Sequence, residues 1–154
     1  MLLPWLALFD FLSVRANFKQ PVDIYQIKKR SNDFALLVPI FNDVKYLSNV
    51  DFLRKYAKNV VLCTTDQETP EFREALEKIA SENGFRISYA SVEGKSKNPW
   101  AIYSKTLLAH DAVLKVTTYR LSEKYVIFID GDTYVDGDLS LLCGAMDEHE
   151  FDLA

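Results

Sequence analysis

Four short apolar runs, each separated from the next by a stretch of helical spacing, constrain this chain more than any other feature. They cover residues 34–38, 59–63, 85–90 and 125–129. The first, Phe34-Ala35-Leu36-Leu37-Val38, is apolar without interruption and ends at Pro39, the pattern of a strand covered on both faces. Between the runs the apolar period lengthens. Val50, Phe52, Leu53 and Tyr56 predict a short helix over 48–56. Thr69 is a natural N-cap, with Pro70 in the first turn and Glu71 and Glu74 near the positive helix end. Phe72, Leu76, Ile79 and Ala80 then form an inner stripe, and Asn83-Gly84 stops the helix. A long helix is expected over 100–121, and another over 139–146 capped by Asp138. Residues 151–154 read as the opening of a further strand. Strands alternating with helices predict an α/β fold, a three-layer sandwich around a mostly parallel sheet. Such sheets bind ligands beyond the carboxyl ends of their strands, here residues 39–42, 64–66, 93–98 and 130–133.

Composition narrows the function classes. At 154 residues, 49% apolar and 26% charged, the chain suits one globular domain and excludes disorder, a collagen-like repeat and a multi-span membrane protein. A net charge of −4 argues against a general nucleic-acid binder. Cys63 and Cys143 are too few for a disulfide scaffold and read as small buried hydrophobes. No two glycines are separated by one residue, so there is no dinucleotide fingerprint and no P-loop. His110 and His149 lack metal-ligand spacing.

The charge is unevenly spread. Residues 1–30 carry a net +3 and residues 31–154 a net −7. Residues 1–14 are largely apolar but too short to span a bilayer, and they lack a basic signal-peptide start. Arg15, Lys19, Lys28, Lys29 and Arg30 follow them. Two readings of residues 1–30 stand open: peripheral contact with an anionic membrane surface, or packing on the chain's own domain or a neighbouring subunit. From Phe128 to Ala154 there are eight acids and no Lys or Arg, which is either a solvated acidic face or a site that needs a cation.

The second choice gains from Tyr125-Val-Ile-Phe-Ile-Asp130-Gly131-Asp132-Thr133. Two carboxylates flank one glycine at the end of a buried strand, and hard cations such as Mg²⁺ and Mn²⁺ prefer carboxylate oxygen and bridge to phosphate. Without a cation, an acidic turn exposed to water is the alternative. An EF-hand fails in both registers, because Val135 and Cys143 occupy the positions that need Gly and an acid. A haloacid-dehalogenase phosphatase expects Thr or Val where Tyr134 stands. A nucleotidyltransferase of related architecture stays open as a reading, though its usual glycine-rich first loop is missing after Pro39.

The aspartate segment resembles the D-x-D signature of GT-A glycosyltransferases, and the element order is similar to the nucleotide-binding half of family 2. Leu37-Val38-Pro39-Ile40-Phe41-Asn42 is similar to that family's opening strand, with Phe41 where Tyr is usual, and Gly94-Lys95 is similar to its Gly-Lys loop. The resemblance covers roughly residue 34 to the C-terminus and implies a Rossmann-like nucleotide-diphospho-sugar transferase half. It implies Pro39, Ile40 and Phe41 at the base and ribose, Lys95 near the diphosphate or ordering its own loop, Asp130 near the ribose or the cation, and Asp132 on Mn²⁺ or Mg²⁺ as cofactor. The family's second strand usually ends in an acidic pair that reads the base. Here Thr64-Thr65-Asp66 stands instead, so Asp66 or the two hydroxyls take that role, with a UDP-sugar favoured by analogy.

The expected reaction is metal-dependent, inverting transfer of a sugar to an acceptor hydroxyl. The family's general base lies well downstream of its D-x-D. The chain ends 22 residues after Asp132 with no candidate for it, so residues 31–154 are expected to be a truncated donor-binding portion without catalytic residues, inactive alone. The alternative is a non-catalytic nucleotide-sugar-binding or assembly module of the same fold. The expected location is the cytoplasm or the cytoplasmic face of a membrane.

Overall fold

The computed structural model describes residues 29–91 and 113–149. β1 (Phe34–Pro39) leads through a 3₁₀ turn (Val44–Tyr46) to α1 (Val50–Leu53), which tightens into a second 3₁₀ turn (Arg54–Tyr56). β2 (Val60–Thr65), α2 (Pro70–Asn83) and β3 (Arg86–Ala90) follow. Helical residues 113–119, here α3, precede β4 (Tyr125–Phe128), and α4 (Leu139–His149) closes the described chain.

The four strands form one all-parallel sheet in the order β3-β2-β1-β4. β1 is central, and its residues from Phe34 to Val38 are 0% exposed, so the uninterrupted apolar run is explained by cover on both faces. Alternate residues feed two cores. Phe34, Leu36 and Val38 pack with Phe52, Leu53, Phe72, Leu76, Leu139 and Cys143 on the face that carries α1, α2 and α4. Ala35 and Leu37 pack with Val61, Cys63, Ala90 and Val113 on the face that carries α3. The chain is therefore the expected α/β sandwich with a parallel sheet.

Winding reverses at β1. The chain moves from β1 outward to β3 with α1 and α2 on one face. It then returns across the sheet to β4 with α3 on the other, which gives all three crossovers the single hand that parallel connections adopt. β1 and β4 thus flank a topological switch point, where open α/β sheets bind ligands.

Several local details follow from the sequence. Thr69 Oγ1 accepts from the Phe72 N–H at 3.2 Å, and Gly84 adopts φ +71° to end α2. Asp138 caps α4, accepting from the Ser140 N–H at 2.9 Å. Three ends differ from expectation. The helix expected over 48–56 is one α-turn followed by a 3₁₀ turn, because Asn49 is engaged elsewhere and the segment is too short for a sustained α-ladder. α4 runs three residues past Met146, to His149. Of the helix expected over 100–121, the structure shows 113–119, with a turn at Arg120; the remainder lies outside the described residues, as do 151–154.

The basic N-terminal segment can be placed only at its end. The Ser31 N–H donates to Ser140 O at 2.8 Å, and Arg30 pairs with Asp138. A Cβ on Gly144 would sit 2.0 Å from the Lys29 carbonyl oxygen, so only glycine lets α4 lie this close to residues 29–30. Residues 1–28 lie outside the described residues. No described helix is long and apolar enough to cross a membrane.

Candidate functional site

The loops leaving β1 and β4 meet at the switch point. After β4, the Ile129 N–H extends the ladder to Leu37 O at 3.0 Å, and the chain then bends in a β-turn closed by the Thr133 N–H on Asp130 O at 3.0 Å. Asp130 and Asp132 occupy the first and third positions of that turn, and both are exposed. Their carboxylates make no hydrogen bond or ion pair among the described residues. The turn therefore presents two solvated carboxylates one residue apart and spends neither on the fold.

The turn is seated on the β1 loop. Gly131 is buried, and its carbonyl accepts from the Ser48 N–H at 2.9 Å and the Asn49 N–H at 3.2 Å. Asn49, 0% exposed, donates its side-chain amide to Asp130 O at 3.2 Å and to Thr133 O at 2.6 Å. The Tyr134 hydroxyl donates to Ser48 O at 2.7 Å. Gly131 is required here for close approach rather than for a left-handed bend: a Cβ would lie 2.9 Å from Tyr46 O.

The β1 side is built differently. Pro39 ends the strand half-buried, and Ile40 is 2% exposed with its N–H donated to Cys63 O at 2.9 Å, so the Ile40 side chain belongs to the core. Phe41 is half-buried against the α3-side core. Asn42 takes φ +65°, a conformation asparagine tolerates, and its N–H donates to Glu68 Oε2 at 3.2 Å. Burial pushes the Glu68 carboxyl above its usual range, with the Asn42 N–H opposing it. Asp43 caps the 3₁₀ turn: it accepts from the Lys45 N–H at 2.9 Å and pairs with the Lys45 ammonium, which holds its carboxyl below the usual range.

At the end of β2, Asp66 is exposed and its N–H donates to Ala90 O at 3.0 Å. Thr64 and Thr65 are buried, and Thr64 Oγ1 has no partner among the described residues. Lys95 lies outside the described residues. Thus Asp130, Asp132, Pro39 and Phe41 gather at the switch point, Ile40 contributes backbone only, and Asp66 stands one strand away. Glu68 and Asn49 were missed. Glu68 reads as an ordinary pre-helix acid, and Asn49 sits inside a segment that reads as helix; its place between the two loops is a tertiary fact with no local signal.

The donor set suits a hard cation: carboxylate oxygens, exposed and unpaired. Among the described residues no group of three or more His, Cys, Asp or Glu converges. In comparison with known proteins, no family model matches this chain, and neither does any curated protein sequence.

Proposed function

We propose that this chain carries the donor- and cation-binding site of a GT-A glycosyltransferase, similar to family 2, that uses a nucleotide-diphospho-sugar. One observation carries the reading: a turn with two unpaired carboxylates, Asp130 and Asp132, stands at the topological switch point of a parallel sheet. A bound Mn²⁺ or Mg²⁺ would offset the charge of the departing nucleoside diphosphate. Asp132 would hold the cation, and Asp130 the cation or the ribose. Pro39 and Phe41 would supply an apolar wall for the base, and the resemblance would put Lys95 near the diphosphate. Asp66 or the Thr64 and Thr65 hydroxyls would read the base, and Glu68, which accepts from the Asn42 N–H, is a further acidic group on the β1 loop. The reaction served would be inverting transfer to an acceptor hydroxyl, which needs a general base to deprotonate that hydroxyl.

Calorimetric titration of the full chain with UDP and Mn²⁺ tests this. Metal-dependent UDP binding that weakens at least tenfold in Asp132→Ala is expected. No binding at millimolar ligand, or equal binding by Asp132→Ala, overturns it.

A further inference from the structure

We infer that Asn49 is a positioning residue for the cation site, an inference that rests on the reading of Asp130 and Asp132 given above. A primary amide offers two N–H donors and one carbonyl acceptor. Both donors of Asn49 go to the turn, one to Asp130 O at 3.2 Å and one to Thr133 O at 2.6 Å. Those are the two ends of the Asp130–Thr133 turn, so one side chain clamps it across its mouth. The amide orientation is fixed by chemistry. Flipping it would press Oδ1 against two carbonyl oxygens.

The cost shows on the other side of the amide. Oδ1 is buried with no hydrogen-bond partner among the described residues. A buried acceptor left unpaired is unfavourable, and an apolar side chain of similar volume would avoid the penalty. Two donated hydrogen bonds stand against that penalty, so the net gain in stability from asparagine here is small. What the residue supplies is the pair of donors, and these fix the backbone that carries Asp130 and Asp132. Two carboxylates on a turn bind a cation well only when their spacing is set in advance. The Ser48 and Asn49 N–H groups on Gly131 O and the Tyr134 hydroxyl on Ser48 O tie the same turn to the same loop, but neither contacts the carbonyls of Asp130 or Thr133.

The test uses the full chain with Mn²⁺ as probe, followed by its paramagnetic resonance spectrum. Asn49→Leu removes both donors and the orphan acceptor while keeping the branched shape. Asn49→Ala does so with less risk of misfit if leucine is not accommodated. In whichever variant folds, Mn²⁺ affinity is expected to fall at least tenfold, the bound-ion spectrum to broaden, and amide exchange at residues 131–134 to quicken at least tenfold, while exchange in β1 and β2 is unchanged. A merely structural residue would lower the melting temperature but leave the affinity of the folded protein alone. Affinity within twofold of wild type, with Asp132→Ala abolishing binding, overturns the inference and leaves the cation site standing. A wild-type chain that binds no Mn²⁺ overturns the cation site itself. In that case unchanged exchange at 131–134 in the Asn49 variant also refutes the clamp.

Discussion

Replacing Gly131 by alanine puts one methyl group where the structure has no room. The new Cβ would sit 2.9 Å from Tyr46 O and 3.4 Å from Leu47 Cδ1. The Leu47 end can rotate; the Tyr46 carbonyl is backbone and cannot. Relief requires the two loops to part by about 0.5 Å to restore ordinary contact. That movement stretches the Ser48 and Asn49 bonds to Gly131 O, now 2.9 and 3.2 Å, to or past the useful limit. Overpacking of this kind costs roughly 1–3 kcal/mol, and each weakened backbone bond roughly 0.5–1.5 kcal/mol. The two overlap, because parting the loops relieves the first by incurring the second, so about 2–3 kcal/mol is expected for Gly131→Ala. For a domain of this size that lowers the melting temperature by about 4–12 °C. Urea unfolding followed by circular dichroism measures it, with the denaturant slope unchanged. Gly84→Ala is the control: φ is +71° with nothing within 4 Å of the new Cβ, so only the left-handed penalty of about 1 kcal/mol applies. A Gly131→Ala cost below about 0.5 kcal/mol, the level of an ordinary surface change, would refute the close-approach argument.

Two further outcomes concern titration. The Lys124 ammonium and the Tyr125 hydroxyl on Asp147 hold its carboxyl down at about 2, so the stability it contributes is present above the ordinary value of 3.8 and is lost as pH falls toward 2. Asp147→Asn should flatten the acid limb of the stability curve across that window, and a carboxyl resonance titrating near 3.8 would contradict it. Burial pushes the Cys63 and Cys143 thiols up to about 11, so both should resist iodoacetamide in the folded chain. At pH 8 about one such thiol in a thousand is ionised, against about one in four for a free cysteine, and prompt alkylation without urea would show the burial to be wrong.

The fold was legible wherever a single element decided its own pattern. The unbroken run from Phe34 to Val38 announces two-sided cover, and Thr69, Pro70 and Gly84 mark α2 because caps act through the nearest backbone. The Asp130-Gly131-Asp132 segment was legible as an exposed turn because acids and a glycine directly after apolar strand residues end the strand. What sequence could not supply was the pairing of loops. Ile40 alternates with Phe41 along the chain, but only the register of β1 against β2 decides which enters the core. Phe128 belongs to an apolar run yet is 56% exposed, because β4 has no neighbour on its outer side among the described residues.

The direction of the connections explains why the two loops touch. The connections from β1 and from β4 both descend to the face that carries α1 and α4, since Phe52 and Leu53 share a core with Leu139 and Cys143. Two loops leaving adjacent parallel strands toward the same face must cross the same space. Here the β4 turn lies on the β1 loop, with Gly131 as the point of contact and Asn49 as the bond between them. Phe41, by contrast, packs against the α3-side core while Leu47 enters the core on the other face, so the β1 loop contributes to both faces of the sheet.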